Sequence, residues 1–165
     1  MSELVKIIET YRIETFFDED ENRLIIELRE GVTIESITKF EVDNDIKLPE
    51  DLKELLLFSN GIDLFGIHIH PLEEMEYFPH SGILTFHNWG NGDFDCLSVG
   101  DDYPRGTIVF MSHTEDKLAL VSNSLKEWFT GVIAEIKRIG ALLHPLDYDK
   151  RESEGMYKNV SHQID

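Results

Sequence analysis

The chain has a single cysteine, Cys96, in 165 residues, which excludes an intrachain disulfide and a paired-cysteine zinc site. It is poor in positive charge. Fifteen lysines and arginines face 33 acids, a formal net charge of -18, and such a field repels phosphates and anionic headgroups. Direct binding to nucleic acid is therefore not expected. Apolar runs such as Leu55 to Phe58 fall far short of the roughly 20 residues a membrane-spanning helix needs. No basic stretch leading into an apolar one opens the chain as a secretory signal would, and no repeat, low-complexity tract or Pro/Gly-rich linker divides it. These absences lead us to expect one cytoplasmic domain over residues 1–165, in a reducing compartment, with no membrane association. Its 41% hydrophobic content is enough to fill a core at this length without metals or disulfides.

The acids that are present are unevenly placed. From Gly61 to Asp116 there are ten of them against one base, Arg105. Apolar residues at helical spacing predict a first helix from Leu4, Ile7, Ile8 and Tyr11 behind Ser2, and a second from Ile34, Ile37 and Phe40 behind Thr33. A third helix follows Pro49, with Glu50 and Asp51 at the positive end of its dipole and Asn60-Gly61 after it. Leu24–Leu28 is a strand candidate. From Ile62 to Val121 the period becomes two, which predicts strands at Gly66–His70, Ile83–His87, Phe94–Val99, Thr107–Ser112 and Leu118–Val121, with turns at Asn91-Gly92 and Glu115-Asp116. A long amphipathic helix then runs from Leu125 to Ile139, capped by Ser122 or Ser124 and stopped by Gly140. The expected fold is α+β: an antiparallel meander of about four to six strands packed with N-terminal helices and this last helix.

Candidate chemistry is sparse against that scaffold. His68 and His70 share a strand face, a spacing that two metal ligands can use, and with Glu74 they resemble the first metal motif of the cupin family. The likeness stops there, because Gly61 and Gly82 sit one place off and Val109 stands where the second motif needs histidine. Asn91-x-Asp93-x-Asp95 imitates the start of a calcium loop, but Cys96 holds the place of the required glycine. Gly90-Asn91-Gly92 is too short for a phosphate cradle, and no serine-nucleophile elbow occurs. No catalytic residue, metal or cofactor is expected.

Leu48-Pro49-Glu50-Asp51-Leu52-Lys53 running through Leu56 to Asn60-Gly61 resembles the opening helix of the SUKH superfamily, the Smi/Knr cell-wall-assembly family, and two later segments extend the likeness. Phe86 to Asp93, entering Phe94–Leu97, is similar to its glycine-rich step into a strand. Ile108-Val109-Phe110, His113, Leu118–Val121 and Ser124-Leu125-Lys126-Glu127-Trp128-Phe129 are similar to its closing block. Thr114 separates His113 from Glu115 where the family often has them adjacent, and Leu125 replaces a commoner phenylalanine. The motif-bearing core spans about residues 34–139, leaving 141–165 as a C-terminal extension.

The resemblance implies a non-catalytic role. Bacterial members are mostly immunity proteins that neutralise toxins such as nucleases or deaminases, and eukaryotic members are scaffolds in cell-wall signalling. With the acid excess, this points to a basic cognate toxin as partner, and to Glu73, Glu74, Glu76, Asp93, Asp95, Asp101 and Asp102 as candidate contacts. A scaffold module and a cupin-like metal enzyme are the alternatives.

Overall fold

Each helix starts where the sequence supplies an acceptor or a negative charge for its first free amides. In the computed structural model, which describes residues 1–114, 117–140 and the backbone of 161–164, the Ser2 hydroxyl accepts the Val5 amide to open α1, Glu3–Arg12. Thr33 accepts that of Ser36 to open α2, Ile34–Asn44. Pro49 precedes α3, Glu50–Phe58, without a side-chain cap, so Glu50 and Asp51 in the first turn supply the favourable charge. Ser124 takes the Glu127 amide at the start of α4, Leu125–Ile139, and Gly140 ends it at φ 71°. α2 ends on Asp45 at φ 53°, a left-handed conformation that aspartate tolerates.

The sheet is one continuous meander. β3 (Ile26–Leu28), β4 (Ile62–Leu64), β5 (Ile67–Ile69), β7 (Ile83–Asn88), β8 (Phe94–Ser98), β9 (Ile108–Met111), β10 (Lys117–Ser122) and β11 (Ser161–Ile164) follow one another across it. β6 (Tyr77–Phe78) pairs with β7 beside that path. All the pairings are antiparallel. A separate ribbon joins β1 (Phe16–Phe17) to β2 (Arg23–Leu24). Among the described residues the sheet is open, with β3 and β11 at its edges, and they form no barrel of the cupin-like kind.

Among the described residues this sheet has nine strands, more than expected: β4 and β6 have only three and two residues, too few to show a period by themselves, and β11 falls in the C-terminal extension. The β4–β5 hairpin turns through Phe65 and Gly66, both at positive φ (55° and 81°), the combination that tight hairpins with a right-handed strand twist require. Between β7 and β8, Asn91-Gly92 belongs to a longer loop in which the Trp89 amide donates to the Asp93 carbonyl. The proposed Glu115-Asp116 turn lies outside the described residues.

Both faces of the sheet are covered. On one, Leu4, Ile8, Leu52, Leu55, Leu56, Trp128, Phe129, Val132 and Ile136 from the helices meet Ile62, Ile69, Leu84, Phe86 and Leu97. On the other, Ile83, Cys96, Val109 and Leu118 gather under Tyr103. Among the described residues, no helix is long and apolar enough to cross a membrane.

A carboxylate secures the passage from α2 to α3. Glu41 is 5% exposed; its Oε1 accepts the Leu48 amide at 2.8 Å, and Lys47 and Lys53 stand 3.1 and 3.5 Å from it. Burial works against its ionisation, but the Leu48 N–H and the two ammonium groups outweigh it and hold the carboxyl below its ordinary pKa. Replacing Glu41 by alanine strands the buried Leu48 amide and is expected to cost about 1–3 kcal/mol in urea unfolding, whereas glutamine, which keeps an acceptor, costs about half as much.

Candidate partner-binding surface

The two aspartates expected to sit at the surface of the sheet segment are in its interior. Asp93 is 1% exposed and Asp95 is fully buried, so neither is a contact residue in this conformation. Asp93 precedes β8, and its Oδ1 accepts both the His113 amide at 2.8 Å and the His113 ring Nδ1 at 2.6 Å. Its Oδ2 takes the Asn91 side-chain amide at 3.0 Å. Asp95, one pleat further on, accepts the Trp128 indole N–H at 3.1 Å. The period of two was read correctly and its consequence was not, because both faces of this sheet are buried. The calcium-like spacing dissolves for the same reason: Asp93 turns to the β8 and β9 loops and Asp95 to α4.

The remaining contact candidates, Glu73, Glu74, Glu76, Asp101 and Asp102, are exposed. The first two lie in the 3-10 turn Leu72–Glu74. There the Asn60 side chain donates to Glu73 at 2.9 Å, and its own carbonyl accepts the Leu72 amide at 2.8 Å. The Asn60 bond is the main cause of a lowered Glu73 pKa. Asp101 and Asp102 follow Gly100, whose amide, like that of Val99, donates to the Gly82 carbonyl at 2.9 Å. Two open grooves flank α2 nearby. One, of about 400 Å³, runs between Phe40, Lys39, Asp43, Asn60 and Glu73. The other, of about 340 Å³, lies between Asp45, Lys47, Tyr77, Asp101 and Arg105. Arg105 is already engaged there, donating to the Lys47 and Val99 carbonyls.

The histidines form a ladder across β5 and β7. His68 and His70 do share a face, their ring centroids 5.7 Å apart, but their surroundings differ. His68 Nε2 meets Glu74 at 3.1 Å near the surface, whereas His70 is 7% exposed and its Nδ1 finds no hydrogen-bond partner among the described residues. Sequence reasoning passed over His87. It is 4% exposed, donates Nδ1–H to the His68 carbonyl at 3.0 Å, and lies 4.9 Å from Trp89 and 5.7 Å from Trp128 between ring centroids. Among the described residues no three His, Cys, Asp or Glu side chains stand together as metal ligands. Burial, helped by the Asp95 carboxyl, pushes the Cys96 thiol well above its ordinary pKa, the opposite of what a nucleophile needs.

The family model for the SMI1/KNR4 family (SUKH-1) matches residues 31–131. No curated protein matches the chain. Within the matched segment three polar motif side chains hold the frame: half-buried Asn60 fixes the turn after α3, buried Asp93 the β7–β8 loop, and buried Trp128 the seat of α4.

The buried histidine carries a pH dependence. Burial lowers the His87 pKa to about 4, only partly opposed by its bond to the His68 carbonyl, while the unfolded chain titrates near about 6.5. The folded state therefore binds fewer protons than the unfolded state between these values. Stability is full above about pH 6.5 and declines as the pH falls toward 4, by about 3 kcal/mol from this group alone. Urea unfolding at stepped pH is expected to show the decline, and His87→Asn to flatten it; an unchanged slope in the variant would assign the acid sensitivity to other groups, buried His70, whose pKa burial also lowers, and the carboxylates.

Proposed function

We propose that this chain, which belongs to the SMI1/KNR4 family (SUKH-1), works by binding a basic partner protein and catalyses no reaction. In a bacterial cell that role is immunity: a cytoplasmic protein that occupies the substrate groove of a cognate toxin, a nuclease or deaminase. The observation that carries this reading is the division of polar side chains between inside and outside. Asp93, Asp95 and Asn60, which lie in the motif segments, are spent on internal hydrogen bonds. What remains at the surface is a large excess of carboxylates.

An enzyme acting on nucleic acid must present positive charge to phosphates. An acidic protein is complementary to such a groove, and complementary fields speed encounter well beyond that of neutral pairs. Glu73, Glu74, Glu76, Asp101 and Asp102 contribute to this field from the loops beside α2. The same charge argues against nucleic acid as a direct partner.

The test pairs the chain with a toxin domain, to be sought among the products of neighbouring genes. Reversing the five exposed acids to lysine is expected to slow association about tenfold or more and to weaken its dependence on salt, because screening acts on the charges that steer encounter. Each exposed reversal leaves stability within about 0.5 kcal/mol, so the melting curve serves as a control. Normal association by the reversed protein would remove electrostatic steering by these acids from the account. Reversing Asp93 or Asp95 is expected instead to unfold the protein.

A further inference from the structure

A field brings a partner close, but a specific interface also needs an apolar centre that loses its water. Seven large apolar side chains are exposed among the described residues, and three of them fall close together in the chain: Ile13 at 80%, Phe17 at 56% and Ile25 at 47%. In the β1–β2 ribbon, Phe17 stands opposite Arg23 and Phe16 opposite Leu24. Directly opposed side chains share a face and alternate along a strand. Phe16 and Leu24 thus turn to the core, while Phe17, Arg23 and Ile25 form the outward face.

The ribbon is held in place before any partner arrives. The Asp18 carboxylate closes its turn by accepting the amides of Asp20 and Asn22 at 2.9 and 2.8 Å and the Asn22 side chain at 3.0 Å. Lys137 of α4 reaches Glu14 at 3.2 Å and lies 5.1 Å from the Tyr11 ring centroid. Gly140 backs directly onto Asp18, where a Cβ would come 3.2 Å from its Cα. A preformed surface gives up little conformational freedom on binding.

Its charge selects the occupant. Between Glu14 and Glu30 there are seven acids and two bases, Arg23 and Arg29. Glu14 and Asp18 are engaged internally; Glu19, Asp20, Glu21, Glu27 and Glu30 are exposed and form no ion pair among the described residues. The other exposed apolar stripe, Ile34 and Val42 on α2, adjoins a Lys39–Asp43 pair and favours neither sign. The ribbon also lies outside the family-matched residues 31–131.

We propose that the outer face of the β1–β2 ribbon is the contact centre for an extended, lysine- or arginine-rich segment of the partner protein that carries apolar side chains between its bases. This rests on the partner-binding reading above and names the surface and the chemistry of what it takes.

The test is a titration of the ¹⁵N-labelled full chain with a short synthetic peptide alternating lysine and valine, followed by amide shifts. Lysine–serine and glutamate–valine peptides serve as controls. Shifts are expected to concentrate at residues 13–28. Affinity should fall about tenfold for the lysine–serine peptide, for Phe17→Ser/Ile25→Ser and for Glu19→Lys/Asp20→Lys/Glu21→Lys, while Ile34→Ser/Val42→Ser binds normally. If Phe17→Ser disturbs the ribbon, Ile25→Ser alone carries the comparison. Shifts centred on α2, shifts spread evenly over all acidic surfaces, or no loss in the ribbon variants would overturn the proposal. With the cognate toxin, a complex that leaves the ribbon amides unmoved overturns this surface and leaves partner binding intact; absence of any complex overturns both.

Discussion

The hydrogen bond from the Trp128 indole to Asp95 fixes how the long helix lies on the sheet. Asp95 is fully buried at the middle of β8, where a carboxyl without a partner would be costly, and Trp128 reaches it from the first turn of α4. With that contact set, the Trp128 ring packs edge-on against Phe86 at 4.9 Å and Phe129 at 5.2 Å. The rotation of α4 then places Leu125, Val132, Ile133 and Ile136 in the core. Moving the helix by one residue would bury Lys126 or Glu127 and strand both the indole and the carboxyl. The strand residue and the helix residue are one device, although 33 positions separate them.

The helices were legible because their signals are local. Ser2, Thr33, Ser124 and Gly140 cap within one turn of themselves, and the apolar stripe of α4 is long enough to fix its phase. β5, β7, β8, β9 and β10 were legible for the same reason, each close to its expected bounds. Strands β1, β4 and β6 were not, since a strand of two or three residues is defined by the neighbour it pairs with unless alternation runs on past its ends, as it does around β5 from Gly66 to His70. The misplaced aspartates have a different cause. Alternation tells which residues share a face, but not whether that face is wet, and here neither is. One clue was available: a tryptophan on a buried helical face needs an acceptor for its N–H, and Asp95 is flanked by Phe94, Cys96 and Leu97 in an otherwise apolar strand.

An acidic protein must also prevent its charge from pulling it apart. Glu41 shows how carboxylates are accommodated inside, held by a backbone amide and two lysines. Outside, few cations are left over. Lys39, Lys53, Lys126 and Lys137 pair with Asp43, Glu50, Glu3 and Glu14, which leaves the ribbon tip and the loops beside α2 with net negative charge. Self-repulsion there lowers stability somewhat. A basic partner of the kind proposed would relieve that repulsion on docking, so the charge that burdens the free protein would favour such a complex.

This separation explains why family membership specifies the fold more closely than the partner. The motif residues that make the chain recognisable are the ones that hold Asp93 to His113, Asn60 to Leu72 and Trp128 to Asp95, and substituting them would damage the frame. The outward face of the N-terminal ribbon carries no such duty. Phe17, Arg23 and Ile25 can change without disturbing the core, because Phe16 and Leu24 on the opposite face anchor the ribbon and Lys137 and Gly140 brace it from behind. A frame fixed from within, with one supported face that carries no core duty, can keep its fold while that face is substituted, since function resides in the site a fold presents rather than in the fold itself.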